Sequence, residues 1–326
     1  MAFVQIQNLS IGYQNPLLEN INIEANLGQI IAIVGANGVG KSTFLKTIVG
    51  ILPQKKGKIF INGIDKNNYS IKELAQIVGF SSTHIFFVPN LKVKDIVALG
   101  RSPYSSLLGI LSKEDHFIVN QAIEQTAIDH IANKETSKIS DGQRQRAYIA
   151  RLIAQNTKIL IFDEPTAFLD IEGKITIIDL LAKIAKDQNK LIIFSTHDLN
   201  IAINFCDKIW LMTNKNIISA CPEDHIIQNN FANLFASNSI VFDNTNANFY
   251  VLTKQKKHIF VENKSTQLRF VWTQNLLKRC GFQHNDNCLD KIQINENNWL
   301  VYIKNNIYEA KSFENLQQIL RQNYNL

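Results

Sequence analysis

The chain has 326 residues, of which 45% are apolar and 19% are charged, with 34 Lys and Arg against 28 Asp and Glu. This apolar fraction excludes a disordered chain, and the low Gly and Pro contents exclude collagen and low-complexity linkers. The length predicts roughly two domains. Four cysteines are too few for a disulfide framework and indicate a reducing compartment. The net charge of +6 is equally compatible with nucleic acid, an anionic membrane or an anionic ligand.

The sequence carries no recognisable signal for export or membrane insertion. Residues 1–10 alternate apolar and polar positions and lack the basic start and apolar run of a signal peptide. No stretch approaches the roughly 18–20 uninterrupted apolar residues of a spanning helix. If the protein works at a membrane, we expect it to lie on the surface and to act through a partner.

Strands and helices alternate along the first part of the chain. Apolar alternation predicts strands over 3–9 and 18–23, and continuous apolar runs predict buried strands. These runs are 29–34, 158–162 and 190–195. The other predicted elements are helices over 41–49, 71–76 and 171–187, strands over 58–62 and 77–81, and inserted helices within 93–131, for example 115–128. The alternation predicts an α/β fold with a parallel sheet.

After about residue 240 the pattern becomes that of a small α+β module. Strands are predicted near 249–252, 258–262, 291–295 and 299–304, and helices near 266–279 and 313–321. Four aromatic residues are predicted to lie in its core: Trp272, Trp299, Tyr302 and Tyr308. Cys280, His284 and Cys288 are interpreted as ordinary core or surface residues, because structural zinc takes four ligands.

A glycine-rich loop between a predicted strand and a predicted helix matches the phosphate-binding loop pattern. It reads Gly35-Ala36-Asn37-Gly38-Val39-Gly40-Lys41-Ser42-Thr43. Its glycines let backbone N–H groups turn inward, and the helix N-terminus adds partial positive charge. Lys41 is predicted to reach the β- and γ-phosphates of a nucleotide. Ser42 is predicted to ligate Mg²⁺, and Thr43 to steady the α-phosphate.

Two adjacent acids end the buried strand that begins at Lys158. Strand alternation predicts that Asp163 and Glu164 point to opposite sides. Asp163 could then hold hydrated Mg²⁺, while Glu164 faces an attacking water as the general base.

A third segment lies between these two, directly before the helical residues 147–154. It reads Ile139-Ser140-Asp141-Gly142-Gln143-Arg144-Gln145-Arg146 and resembles Leu-Ser-Gly-Gly-Gln, the signature of the nucleotide-binding subunits of ATP-binding-cassette (ABC) transporters. Ile139 replaces the Leu and Asp141 the first Gly. The resemblance implies that Ser140 faces the γ-phosphate of ATP bound to the other subunit of a head-to-tail dimer.

The resemblance extends over residues 2 to about 235. It implies a P-loop NTPase core, RecA-like, with an antiparallel β subdomain and a helical subdomain at about 84–140. We therefore expect a cassette over 1–240 and an accessory module of unknown role over 241–326. The residues expected to bind ATP are Tyr13, Gly35, Asn37, Gly38, Gly40, Lys41, Ser42, Thr43, Ser140, Gly142, Gln143 and Asp170.

Three of the family's functional positions carry a suitable residue, and one does not. Tyr13 stands at the position that stacks on adenine, although it could be a half-buried strand residue. Asp170 lies in the loop that communicates across the dimer and could also cap the next helix. His197 occupies the position of the switch histidine at the γ-phosphate. The glutamine that contacts Mg²⁺ after the antiparallel region is missing, and Ser82 or Thr83 would have to replace it.

The segments 99–104 and 112–115 resemble importer subunits for iron-siderophore complexes, haem or cobalamin. The expected function is therefore ATP hydrolysis that energises such import. The expected partners are a transmembrane permease, a second copy of the chain and, indirectly, a substrate-binding protein, at the cytoplasmic face of the membrane. The alternatives are an exporter ATPase and a soluble ABC ATPase. The latter would normally need a coiled-coil insertion or a second cassette, so nucleic acid is not an expected partner.

Overall fold

A computed structural model of the chain describes residues 2–82, 90–105, 110–214, 216–234, 240–244, 248–251 and 257–324. The chain divides into two compact units, residues 1–236 and 237–326. Within the described ranges, no helix combines the length and the apolar character that crossing a membrane requires.

The central sheet of the first unit has the strand order β10-β9-β3-β8-β7-β6. Its strands are β3 (Ile30–Gly35), β6 (Val78–Ser81), β7 (Ile159–Asp163), β8 (Leu191–Thr196), β9 (Lys208–Met212) and β10 (Ile217–Ala220). All neighbours are parallel except the pair of β9 and β10. Strands β3, β7 and β8 are buried along their whole length, as their continuous apolar sequences predict. The predicted α/β fold is confirmed.

An antiparallel sheet packs beside the central sheet in the order β2-β1-β4-β5. Its strands are β1 (Val4–Gly12), β2 (Pro16–Ala25), β4 (Lys56–Ile61) and β5 (Ile64–Asp65). One hydrophobic core includes residues of both sheets and Phe44, Leu45 and Ile48 of helix α1 (Lys41–Ile48). The helix thus buries one face against both sheets and fixes the loop that precedes it.

The remaining helices of the first unit connect these strands or follow them. They are α2 (Ile71–Ile77), α3 (Val93–Ala98), α4 (Lys113–Gln125), α5 (Asp141–Ala154), α6 (Ile171–Asp187), α7 (Leu199–Phe205) and α8 (Pro222–Ile227). The helix predicted over 115–128 ends early, because Ala127 has φ +55° and cannot continue it. A buried ion pair joins Arg101 and Asp115, Nε to Oδ1 2.7 Å.

The second unit is a sheet with the order β14-β13-β15-β16-β17, covered by helices that close one core. Its elements are β11 (Ile240–Asp243), β12 (Asn248–Val251), β13 (Lys257–Asn263), α9 (Gln267–Arg279), β14 (Phe282–His284), β15 (Lys291–Ile294), β16 (Trp299–Ile303), β17 (Asn306–Ala310) and α10 (Phe313–Tyr324). Strands β11 and β12 form a separate hairpin.

The predicted core of this unit is correct for Trp299 and wrong for Trp272. Trp299 is buried, and its Nε1 donates to Thr273 Oγ1 at 2.9 Å. Trp272 is 57% exposed because α9 turns that position away from the sheet. Cys288 Sγ donates to the carbonyl of His258, and His284 Nδ1 accepts from the N–H of Val261.

Candidate functional site

The carboxyl ends of three parallel strands bring the predicted loops together. β3 ends at Gly35, β7 at Asp163 and β8 at Thr196. In the register of the sheet, Val34 is paired with Thr196, and Asp163 with Ser195. Ligands of open parallel sheets bind at such an edge. The glycine loop, the acids and the histidine segment therefore converge there.

The glycine loop has the backbone conformation that a phosphate cradle needs. Gly38 and Gly40 have φ values of +79° and +108°, which residues other than glycine rarely adopt. A Cβ at Gly35 would lie 2.6 Å from the carbonyl oxygen of Met212, so only glycine fits there. Lys41 begins α1 directly after the loop. Exposed Asn37 and Gly38 form the open tip.

Lys41 is buried and lies across the mouth of this loop. Its Nζ donates to the carbonyls of Gly35 at 2.8 Å and Ala36 at 3.1 Å. Burial lowers the pKa of Lys41, and the nearby carboxylates of Glu164 and Asp163 oppose that shift. The ammonium group therefore stands between the loop and the acids. Ser42 is half-buried and Thr43 is buried in the same helical turn.

Ser195 joins the two acids, a contact that the sequence did not indicate. This hydroxyl is fully buried, donates to Asp163 Oδ1 at 2.6 Å, and accepts from the backbone N–H of Glu164 at 2.9 Å. Asp163 is the last residue of β7 and is buried. The hydroxyl thus fixes where the strand ends and the acidic loop begins.

Strand alternation does not set the direction of the Glu164 side chain. Glu164 lies outside β7, and its φ of +53° is left-handed. A non-glycine residue in this region stores strain that the surroundings must hold. The Glu164 carboxylate remains partly exposed, and its Oε1 lies 3.7 Å from Nδ1 of His197. The predicted base and the predicted switch histidine are therefore neighbours.

The signature-like segment begins helix α5, and Ser140 is its N-cap. The Ser140 hydroxyl accepts from the N–H of Gln143 at 3.2 Å, while Gln143 Oε1 accepts from the N–H of Ser140 at 3.1 Å. This capping box keeps the helix start rigid. Arg144 pairs with Asp141 at 2.5 Å and also donates to the carbonyls of the preceding loop. Asp141, the departure from the family signature, thus has a structural partner.

A cavity of about 550 Å³ opens beside the helix start. Ser140, Gly142 and Gln143 line it together with Asp170 and Phe168. Asp170 caps α6, its Oδ1 accepting from the N–H of Gly173 at 2.8 Å. Gln145, farther along α5, contacts the acidic loop through its carboxamide. The signature segment and the Asp170 loop therefore form one surface.

Two of the predicted positions lie at the periphery of the site. Tyr13 is 62% exposed in the turn between β1 and β2. A Cβ at Gly40 would lie 3.6 Å from Leu17 of β2, so this hairpin reaches the glycine loop. Ser82 directly follows β6, whereas Thr83 lies outside the described residues. Gln76 donates to the carbonyl of Pro103 at 3.1 Å and so joins α2 to the inserted helices.

The importer-like segment has a packing role. A Cβ at Gly100 would lie 2.1 Å from the carbonyl oxygen of Arg151, so glycine allows close approach to α5. Arg101 donates to the carbonyl of Ala154 at 3.0 Å, at the end of α5, and pairs with Asp115. Hydrogen bonds from Ser112 and Arg101 lower the pKa of Asp115 to about 2. This charge pair is buried rather than solvated.

Comparison with known proteins decides the family. The ABC transporter family model matches residues 18–167. The achromobactin transport ATP-binding protein of Dickeya dadantii is 35% identical over 66% of this chain and 80% of its own length. The ferric enterobactin transport ATP-binding protein of Escherichia coli is 31% identical over 74% of this chain and 90% of its own. The chain belongs to the ABC transporter ATP-binding family. This confirms the resemblance, and the ABC subunit is an ATPase.

Solved structures agree with this assignment. A metal-chelate type ABC transporter in an inward-facing conformation matches this ABC subunit with TM-score 0.63 and 31% identity, covering 72% of this chain and 89% of that one. A dimeric ATP-binding cassette bound to ADP and Pi matches with TM-score 0.60 and 26% identity, covering 67% and 98%. Residues 256–321, for which the sequence suggested no family, match the iron ABC transporter C-terminal domain.

Proposed function

We propose that this ABC subunit hydrolyses ATP to power the import of an iron-siderophore, haem or cobalamin-type chelate. Its partner would be a transmembrane permease, with the subunit at the cytoplasmic face of the membrane and a substrate-binding protein acting from the other side. The match of residues 256–321 to an iron transporter domain carries this proposal, because it is independent of the cassette. The names of the relatives, achromobactin and ferric enterobactin transport proteins, support it.

The site suits a nucleoside triphosphate. The N–H groups of the loop around Asn37, Gly38 and Gly40 would hold the phosphates, and Lys41 would turn from the loop carbonyls to the β- and γ-phosphates. Thr43 would contact the α-phosphate, and Tyr13 would stack on adenine from its exposed hairpin.

The residues around α1 also suit Mg²⁺, which prefers oxygen ligands. The Ser42 hydroxyl stands in the first turn of α1, and the Asp163 carboxylate lies at the adjacent strand end. Ser42 would ligate the ion directly, and Asp163 would hold it through water. Bound there, Mg²⁺ would neutralise charge on the phosphates.

Glu164 would act as the general base. Its carboxylate is accessible at the mouth of the site, and its left-handed backbone is fixed from the N–H side by Ser195. From this position it orients a water for in-line attack on the γ-phosphate and accepts its proton. His197, 3.7 Å from the carboxylate, would donate to the γ-phosphate and stabilise the transferred charge.

A second copy would complete each site. Ser140, Gly142 and Gln143 line an open surface at a helix start, where hydroxyl and N–H groups can meet an anion. In the proposed head-to-tail dimer they face the γ-phosphate that Lys41 holds in the other chain, with the loop of Asp170 beside them. The dimeric form of the matched cassette bound to ADP and Pi supports this arrangement.

Two measurements test the function. In the purified chain, Glu164→Gln should retain ATP binding and lose at least about 100-fold in kcat, because the base is removed. Hydrolysis at the wild-type rate would eliminate Glu164 from this role. With the permease reconstituted in vesicles, uptake of labelled ferric siderophore, haem or cobalamin should require ATP. If none of the three compounds is taken up while ATP hydrolysis is intact, chelate import would be contradicted.

A further inference from the structure

Gln145 connects the signature helix to the loop that carries Glu164. It lies on α5, only 4% exposed. Its Nε2 donates to the carbonyl of Pro165 at 2.9 Å and approaches that of Glu164 at 3.5 Å. The carboxamide therefore holds the acidic loop through its backbone, without touching the Glu164 carboxylate.

Two contacts from opposite sides hold the strained backbone of Glu164. Ser195 accepts from its N–H, and Gln145 holds the carbonyl side. A residue at φ +53° relaxes toward ordinary backbone angles unless neighbours prevent it. Since the carboxylate direction follows the backbone, loss of the Gln145 bond would let Glu164 turn away from the site.

The environment of the carboxamide oxygen indicates that the functional group of the Gln145 side chain is its N–H donor. Among the described residues, Gln145 Oε1 is buried without a hydrogen-bond partner. A buried unsatisfied acceptor opposes folding, and a methionine would fill similar space without one. The loss of stability caused by the unsatisfied Oε1 is therefore offset by the hydrogen bond that the N–H group donates to the acidic loop.

Gln145 also lies on the same rigid helix as Ser140. They are five positions apart, which corresponds to about 7.5 Å along the helix axis. Under the function proposed above, on which this inference rests, Ser140 faces the ATP held by the other chain. We propose that Gln145 is a positioning residue, which couples the helix that contacts the partner's ATP to the base that acts on this chain's own ATP.

The test compares Gln145 of α5 with Gln155, the residue that directly follows this helix. Gln145→Met removes the donor to Pro165, whereas Gln155→Met removes a bond of similar kind, from Gln155 Nε2 to the carbonyl of Ala75 at 2.7 Å, remote from the acids. We expect Gln145→Met to lower kcat about 10- to 100-fold with unchanged ATP affinity, because misplacing a reacting group by about 1 Å can have that effect. Gln155→Met should retain the wild-type kcat.

If the Met variant does not fold, Gln145→Leu removes the same donor with a smaller apolar side chain, which suits this buried position, and it should lose kcat likewise. Adding Gln145→Met to Glu164→Gln should reduce the residual single-turnover rate no further, since Gln145 acts through Glu164. Wild-type kcat in both Gln145 variants, or additive losses in the double variant, would overturn the inference. A fully active Glu164→Gln would instead refute the proposed base.

Discussion

Removing the hydroxyl of Ser195 should damage both stability and catalysis. Ser195→Ala loses a hydrogen bond to the Asp163 carboxylate and another from the Glu164 N–H, at a position that water does not reach. A bond to a charged group contributes about 1.5–3 kcal/mol and a neutral one about 1 kcal/mol. The free energy of unfolding should therefore fall by about 2–4 kcal/mol. Glu164 also loses one of the two contacts that fix its backbone, so kcat should fall about tenfold or more.

The assay combines urea denaturation with steady-state ATP hydrolysis. Thr126→Val is the matched control, since it removes a buried hydroxyl that donates to the carbonyl of Ala122 at 2.9 Å, away from the acids. It should lower stability by about 1 kcal/mol and leave kcat unchanged. If Ser195→Ala lowers stability but keeps kcat within twofold of wild type, Ser195 does not position Glu164.

Three further outcomes are expected. Asp115→Ala should lower the free energy of unfolding by about 3 kcal/mol, because it leaves a buried guanidinium unpaired, whereas exposed Asp179→Ala should change it by less than about 1 kcal/mol. The folded pKa of Asp115 is about 2 against an ordinary 3.8, so about 2 kcal/mol of this stabilisation is present above pH 4 and disappears as pH falls toward 2. In urea titrations, a wild-type advantage as large at pH 2 as at pH 7 would contradict this. Tyr13→Ala should raise the Kd for ATP about tenfold, by loss of stacking, with Tyr13→Phe unchanged; equal affinities in calorimetry would exclude stacking. Gly100→Ala should destabilise the chain by at least about 2 kcal/mol, because its Cβ would collide with the carbonyl of Arg151, and a wild-type melting curve would refute that.

Contiguous patterns in the sequence predicted which segments form the candidate site. The glycine loop, the acid-ended strand and the Ser140 segment each combine a short motif with a recognisable strand or helix beside it. These local signals also predicted the fold class, because continuous apolar runs separated by helices produce parallel strands. Strand β9 was missed because a five-residue apolar run cannot be distinguished from part of a helix by its period.

Contacts between distant residues could not be predicted in this way. Ser195 and Gln145 contact the acidic loop from positions 31 and 20 residues away from their partners Glu164 and Pro165. Hydrophobic periodicity in the sequence contains no information about such a contact. The left-handed backbone of Glu164 was equally hidden, because glutamate has no preference for it. The sequence predicted that these acids lie at the candidate site, and tertiary packing decided how they are held.

The most direct test of the central claim is sedimentation of Glu164→Gln with and without ATP. If two chains jointly hold each triphosphate, ATP should convert this variant from a monomer of 37.1 kDa to a species of twice that mass. Adding Ser140→Arg should abolish the dimer while ATP binding persists, because only the partner's surface is blocked. A variant that binds ATP yet stays monomeric, or a dimer that tolerates Ser140→Arg, would contradict the account.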